Sequence, residues 1–285
     1  MEVDRQARRA AIFAGLHRSG APLLLANAWD VASAVTIAGA GAKAIATTSA
    51  GVAWSLGVPD AADLGADRAA AVIERITAAV DVPVSADIEA GYGPEPDAVA
   101  ATLTAVIQAG AVGVNLEDRS GQDGAPLFEP AEQAERLAAA RAAADRLAIP
   151  VWINARTDVF LAGIGSAEER LQVALERAAA YAAAGADSLF VPGLIDLAAI
   201  AELAAGPLPV AVMVWAGAPT VPELASAGVV RISLGSAVAQ AAYAVAARAT
   251  RELLVDGTYD STADGIPYDK TNDALASRPA TQETR

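Results

Sequence analysis

Short apolar runs alternate with alanine-rich helical stretches along most of this chain. The runs are LLLAN (23–27), KAIATTS (43–49), VPVSADIE (82–89), AVGVNLE (111–117), IPVWINAR (149–156), DSLFVPG (187–193), LPVAVMVW (208–215) and VVRISLG (229–235). Runs of this length, bounded by glycine, proline and polar residues, predict strands. Four of them follow a helical stretch that ends in glycine, in IAGAGAKAI, VIQAGAVGV, YAAAGADSL and LASAGVVRI. Glycine just past a helix end takes the left-handed conformation that closes the last turn. Eight strand–helix units in succession predict a parallel sheet closed as a (β/α)8 TIM barrel, with the active site at the C-terminal strand ends. The N-terminal MEVDRQARRAAIFAGLHRSG reads as a charged amphipathic helix. After about residue 236 the pattern is helical, then polar and turn-rich. Residues 1–285 are expected to form one barrel domain, with extra C-terminal helices and an oligomerisation segment at about 236–285. Residues 270–285 read as loosely ordered or as subunit contacts.

Alternation within the strands separates two faces. Ser85, Asp87 and Glu89 share one face of the third run, opposite Val84, Ala86 and Ile88. Gly113, Asn115 and Glu117 oppose Val112, Val114 and Leu116. Trp152, Asn154 and Arg156 oppose Val151, Ile153 and Ala155. The apolar faces suit the surrounding helices, and the polar faces then converge inside the barrel. Asp87, Glu89 and Glu117 are oxygen ligands suited to Mg2+ or Mn2+. Arg156 opposite them suits the carboxylate or phosphonate of a substrate. The structural alternative is a buried Arg–Glu network that only closes the barrel. Three inward acids against one inward base leave negative charge uncompensated, which favours a cation.

The small-residue loop TTSAGVAWSLGVPD (47–60) follows the second strand. Thr48, Ser49, Ala50 and Gly51 let backbone N–H groups approach a carboxylate closely. Asp60 reads first as a helix N-cap. Trp29, Trp54 and Trp215 are candidates for pocket or core, and His17 for a structural role.

Composition narrows the chemistry. Twenty basic against 34 acidic residues give a net charge of −14 and a pI near 4.4. That balance disfavours nucleic acid and anionic membranes as partners. Cysteine is absent and histidine occurs once, so thiolate zinc sites, thiol nucleophiles and Ser-His triads are set aside. Neither a signal peptide nor a membrane-length apolar run is evident, and a soluble cytoplasmic protein is expected.

Five motifs in order carry a family resemblance: NAWDVASA (27–34), the S-x-G-V-A…LG-x-PD stretch (49–60), DIEAGYG (87–93), NLED (115–118) and NARTD (154–158). Over about residues 10–260 the chain resembles the isocitrate lyase/phosphoenolpyruvate mutase superfamily. The resemblance implies Asp87 as direct Mg2+ ligand, with Glu89, Glu117 and Asp60 holding the metal's waters. It implies Arg156 as the grip on the substrate's anionic group, and Thr48, Ser49 and Ala50 around the carboxylate of a 2-oxo acid. Asn154 joins this substrate-binding set. Arg156, Glu117 and Asp60 form the implied catalytic group. Homo-oligomers, dimers or tetramers, are also implied.

The departures matter equally. The cysteine loop of isocitrate and methylisocitrate lyases is replaced by RSGQDGAPLFEP (119–130). The gating-loop lysine and asparagine of phosphoenolpyruvate mutase are missing too. Asp118, Arg119, Ser120, Gln122 and Asp123 are the polar residues in and beside this loop, and Asp123-Gly124 reads as a turn. Val214-Trp215 is apolar where tricarboxylate lyases are polar. The expected activity is Mg2+-dependent making or breaking of a C–C bond beside a small 2-oxo or 2-hydroxy acid, through an enolpyruvate-like intermediate. The alternatives are a phosphonomutase or phosphonopyruvate hydrolase and, in another class, a non-catalytic 2-oxo acid binder.

Overall fold

The computed structural model describes residues 2–62, 64–122 and 124–276. Each of the eight apolar runs contains strand. The strands are β1 (Leu23–Leu25), β2 (Asn27–Ala28), β3 (Ile45–Thr47), β4 (Val84–Asp87), β5 (Gly113–Glu117), β6 (Arg119–Gln122), β7 (Ala125–Leu127), β8 (Trp152–Arg156), β9 (Ser188–Phe190), β10 (Val210–Met213) and β11 (Val229–Ser233). The helices are α1 (Glu2–Gly15), α2 (Val31–Gly39), α3 (Ser49–Ser55), α4 (Ala66–Thr77), α5 (Pro96–Gln108), α6 (Pro130–Arg146), α7 (Ala167–Ala183), α8 (Leu197–Ala204), α9 (Val221–Ser226), α10 (Ala237–Val255) and α11 (Tyr268–Ala276).

The large sheet runs β1-β11-β10-β9-β8-β5-β4-β3-β2, with every neighbouring pair parallel. Its two edges, β1 and β2, are separated only by Ala26. One interrupted strand therefore joins both edges, and the sheet closes as an eight-unit barrel. The four glycines expected to end helices, Gly41, Gly110, Gly185 and Gly228, have φ of 96°, 94°, 92° and 93°. Any side chain there would strain the turn that returns the chain to the sheet.

Strand parity holds through the core. Val84, Ala86, Val112, Val114, Leu116, Val151, Ile153 and Ala155 all pack in the main apolar cluster or beside it, beneath the helices. Burying each of the larger side chains contributes about 1.5–3 kcal/mol. At the N-terminal end of the barrel, Phe13 of α1 is fully buried. It occupies the space that a side chain at Gly113 would take: a Cβ there would stand 2.6 Å from Phe13 Cε1. Just past α1, His17 stacks on Trp152 with centroids 4.0 Å apart, and its Nδ1 lies 2.9 Å from the Phe13 carbonyl. α1 thus plugs the barrel floor.

Four expectations change. Residues 49–55 are the helix α3 rather than loop. In the stretch expected as a loop, the strands β6 and β7 pair as an antiparallel hairpin. The stretch from 270, expected to be loosely ordered or given to subunit contacts, is not loose at its start: it enters the helix α11, whose Leu275 packs against the apolar cluster under α2; residues 277–285 lie outside the described residues. Asp60 caps no helix, because α4 begins after Gly65. Among the described residues no helix is long and apolar enough to cross a membrane.

Candidate active site

Register brings the polar faces into layers. Asp87 pairs with Asn115, Asn115 with Asn154, and Asn154 with Ser188. One layer higher, Glu117 pairs with Arg156 and Arg156 with Phe190. At the C-terminal strand ends these layers border a cavity of about 160 Å3. Thr48, Ser49, Ala50, Asp60, Asp87 and Arg156 line it together with Asn115. Leu161, Phe190 and Met213 supply its apolar wall.

Asp87 is fixed from the backbone. Its N–H donates to Thr47 Oγ1 at 2.9 Å, and the Ser49 N–H approaches its Oδ2 at 3.4 Å. The strand stops there. Glu89 has φ of +51° and Tyr92 +53°, a conformation that is uncommon for residues with side chains. Strand alternation therefore does not reach Glu89, although it lies only two residues beyond Asp87. Glu89 instead accepts the Tyr92 hydroxyl at 3.1 Å and borders a second cavity of about 450 Å3 beneath the β6–β7 hairpin, with Arg119, Ser120 and Phe128. Burial and then the Asp87 charge push the Glu89 carboxyl up to about 7. The same two causes raise Asp60.

The turn carrying Glu89 is clamped by Arg136, which sequence reasoning missed. Its guanidinium donates to the carbonyls of Ala90, Gly93 and Pro94 and stacks 4.2 Å over Phe128. Among the described residues its hydrogen bonds go to these carbonyls and to Gln133 rather than to an acid, so no charge pattern announces it.

Arg156 is held through three nitrogens by two acids. Nε and Nη2 grip Asp158 at 2.6 and 2.9 Å, and Nη1 reaches Glu117 at 2.9 Å. Such a bidentate fork is strong and directional. Burial raises the Glu117 carboxyl, opposed by Arg156, with Asp158 and Asp87 adding to the rise. The nearby acids keep Arg156 charged. The Arg–Glu pair considered from sequence is therefore present, and its Arg156 lines the cavity. Arg119 lies 3.4 Å from Asp158.

Other candidates fall elsewhere. Asn154 is fully buried one position behind the cavity wall. Asp118 is fully buried, held by Arg177, by the Tyr181 hydroxyl and by the Asp158 N–H, and so supports the site from below the loop. Asp123 lies outside the described residues. Trp29 and Trp54 pack near Tyr243 of α10, and Trp215 is exposed.

Among the described residues no three acids or histidines sit close enough to enclose a cation directly. Mg2+ binds through one or two carboxylates and several waters. The donor set fits that mode: Asp87 is central, and Asp60, Glu89 and Glu117 are upshifted carboxyls around it whose mutual repulsion a cation relieves.

Fold and site together define a (β/α)8 barrel with an all-oxygen, arginine-bearing site at its strand ends. A model of the family described as phosphoenolpyruvate phosphomutase matches residues 13–254. The chain belongs to the isocitrate lyase/phosphoenolpyruvate mutase superfamily, whose members include lyases, mutases and hydrolases. It is 39% identical over 260 residues to an uncharacterised protein of Mycobacterium tuberculosis H37Rv, covering 90% of this chain and 93% of that one. It is 34% identical over 191 residues to the 2-methylisocitrate lyase of Escherichia coli K12, covering 64% and 62%. Among solved structures, a Burkholderia cenocepacia J2315 protein provisionally named a phosphonomutase superposes with TM-score 0.82 at 46% identity, covering 89% of this chain and 100% of that one. Oxaloacetate acetylhydrolase in complex with oxalate superposes at 0.83 with 26% identity, covering 95% of each chain. Phosphonopyruvate hydrolase with oxalate and Mg2+ superposes at 0.78 with 26% identity, covering 95% and 94%.

Proposed function

We propose that this chain is a Mg2+-dependent enzyme that makes or breaks a C–C bond beside the carbonyl or hydroxyl of a small 2-oxo or 2-hydroxy acid, as a lyase, decarboxylase or hydrolase. The observation that carries the reading is Arg156, clamped by Asp158 and Glu117 beside Asp87 in one small cavity. Asp87, with Glu89, Glu117 and Asp60 reached through water, holds Mg2+, or Mn2+ in its place. When bound, the metal supplies Lewis-acid stabilisation of the oxygen charge that develops as the bond breaks. Arg156 grips the acid's carboxylate in a fixed orientation, and the small residues Thr48, Ser49 and Ala50 let it lie close. Where a 2-oxo acid loses the group on its C3, the bond's electron pair enters the C2 carbonyl and gives an enolpyruvate-like species, which then takes up a proton. Where a 2-hydroxy acid is cleaved, the hydroxyl gives up its proton and becomes a carbonyl, and the electron pair leaves with the other fragment. The β6–β7 hairpin borders the outer cavity through Arg119, Ser120 and Gln122. A volume of about 160 Å3 with a single guanidinium suits a compact acid better than a tricarboxylate.

C–P chemistry is the second reading, favoured by the 46% identity to the Burkholderia protein. It ranks lower because the only lysines, Lys43 and Lys270, lie far in sequence from the hairpin. A homo-oligomer, dimer or tetramer, belongs to the same proposal: α10 exposes Leu253, Leu254 and Val255 side by side. The reading retains the expectation of a cytoplasmic location. Proton and phosphorus NMR of the protein with Mg2+ and oxaloacetate, 2-methylisocitrate, dimethylmalate or phosphonopyruvate tests the function. Cleavage of a carboxylic acid that stops with EDTA supports it. Turnover of phosphonopyruvate alone favours the second reading, and no turnover favours a binder.

A further inference from the structure

Inside the barrel, directly under the cavity, runs a chain of buried hydrogen bonds whose direction is fixed at both ends. Trp152 Nε1 donates to Ser188 Oγ at 2.8 Å, Ser188 Oγ donates to Asn154 Oδ1 at 2.5 Å, and Asn154 Nδ2 donates to Asn115 Oδ1 at 2.8 Å. Arg231 Nη2 donates to the same Asn115 oxygen at 3.0 Å. Indole and guanidinium can only donate. If the Asn115 amide were reversed, its NH2 would face the Arg231 donor. If Asn154 were reversed, two amide oxygens would face each other. Each reversal leaves buried groups unpaired, at a cost the low-dielectric interior magnifies.

Both acceptor sites of the Asn115 oxygen are therefore filled, by Asn154 and Arg231, and the opposite end of the amide, Nδ2, carries the protons. Asn115 lines the cavity that also holds Asp87, Ser49 and Arg156, and among the described residues its Nδ2 has no acceptor. Arg231 is itself unusual. It is 1% exposed, forms no ion pair among the described residues, and leaves Nη1 without a partner. A buried cation is costly; the Asp87 charge favours it without a direct ion pair, the Phe13 ring lies 5.9 Å from its Cζ, and its one side-chain hydrogen bond among the described residues goes to the Asn115 oxygen.

We propose that Asn115 donates a hydrogen bond from Nδ2 to an anionic oxygen of the bound acid, and that Arg231 and Asn154 are positioning residues that lock the amide in that orientation. The inference rests on the reading that this cavity takes a small acid, and oxalate with Mg2+ is the probe.

The chain has four asparagines, at 27, 115, 154 and 272, so selective 15N labelling of asparagine side chains gives a spectrum simple enough to assign by substitution. In the wild type, saturation with Mg2+ and oxalate shifts the Asn115 NH2 pair and leaves that of Asn272, on α11, in place. Asn115→Asp keeps the acceptor for Arg231 and Asn154 but removes the donor. Calorimetry then shows oxalate affinity lower by about tenfold to a hundredfold, while Mg2+ binding without oxalate is unchanged or tighter. Arg231→Met frees the amide, and the Asn115 pair doubles or broadens, a signature that mere loss of stability does not produce. Should Arg231→Met fail to fold, the isosteric Asn115→Asp carries the test alone. Oxalate binding within about twofold of wild type in Asn115→Asp, with an unshifted Asn115 pair in the wild type, overturns the inference and leaves the acid-binding reading intact. No binding of oxalate by the wild type with Mg2+ overturns both.

Discussion

The two ends of the barrel are built from the same strands and obey opposite rules. At the N-terminal end, α1 drives Phe13 into the space left by Gly113, and His17 stacks on Trp152. Apolar and aromatic contact seals that end. At the C-terminal end, Asp60, Asp87, Glu89 and Glu117 crowd together, and burial with mutual repulsion raises the carboxyls of Asp60, Glu89 and Glu117. Gly113 and Glu117 illustrate the contrast on one strand: four residues apart on β5 and both facing inward, one yields space to a plug and the other braces a charged fork. The floor contributes stability and the rim holds the cost of function.

Breaking either end should therefore have different consequences. The largest effect is expected from Asp87→Ala, which removes Mg2+-dependent turnover by about a thousandfold or more in steady-state assays. Its melting temperature without metal should stay level or rise, because repulsion is relieved. Phe13→Ala at the floor should cost about 3–5 kcal/mol in denaturant unfolding, while the folded fraction keeps its turnover number. Gly113→Ala forces a Cβ against Phe13 and should cost about 1–3 kcal/mol.

The smallest effect concerns pH. Burial, then the charge of Arg231, lower His17 from 6.5 to about 4. Between those values the unfolded chain binds more protons than the folded one, so stability rises with pH across this window and is complete above 6.5. Unfolding at a series of pH values should show this acid limb, about 1–3 kcal/mol deep, and His17→Gln should flatten it. Because the chain has one histidine, its imidazole NMR signal reports the same titration directly.

Legibility in the sequence followed the same division. The eight strands and the helix-closing glycines were readable because strand and helix periods are local properties. Parity also reached the inward faces of β5 and β8 and the position of Asp87 on the cavity wall. It stopped at Glu89, where a positive φ turns the side chain out of register, and nothing in Ile-Glu-Ala announces that turn. Asp118 read as loop-edge polarity, yet its partners Arg177 and Tyr181 lie 59 and 63 residues away and meet it only through the closed barrel. Arg136 was silent because its partners are carbonyls. The β6–β7 hairpin hid behind two glycines and a proline that read as irregular loop.

The claim that the rim holds a cation through Asp87, beside a small acid, is tested most directly by electron paramagnetic resonance of the protein titrated with Mn2+ and oxalate. The account predicts Mn2+ binding to the wild type, a spectrum altered by oxalate, and loss of both in Asp87→Ala. Mn2+ and oxalate binding that survives Asp87→Ala unchanged would contradict it.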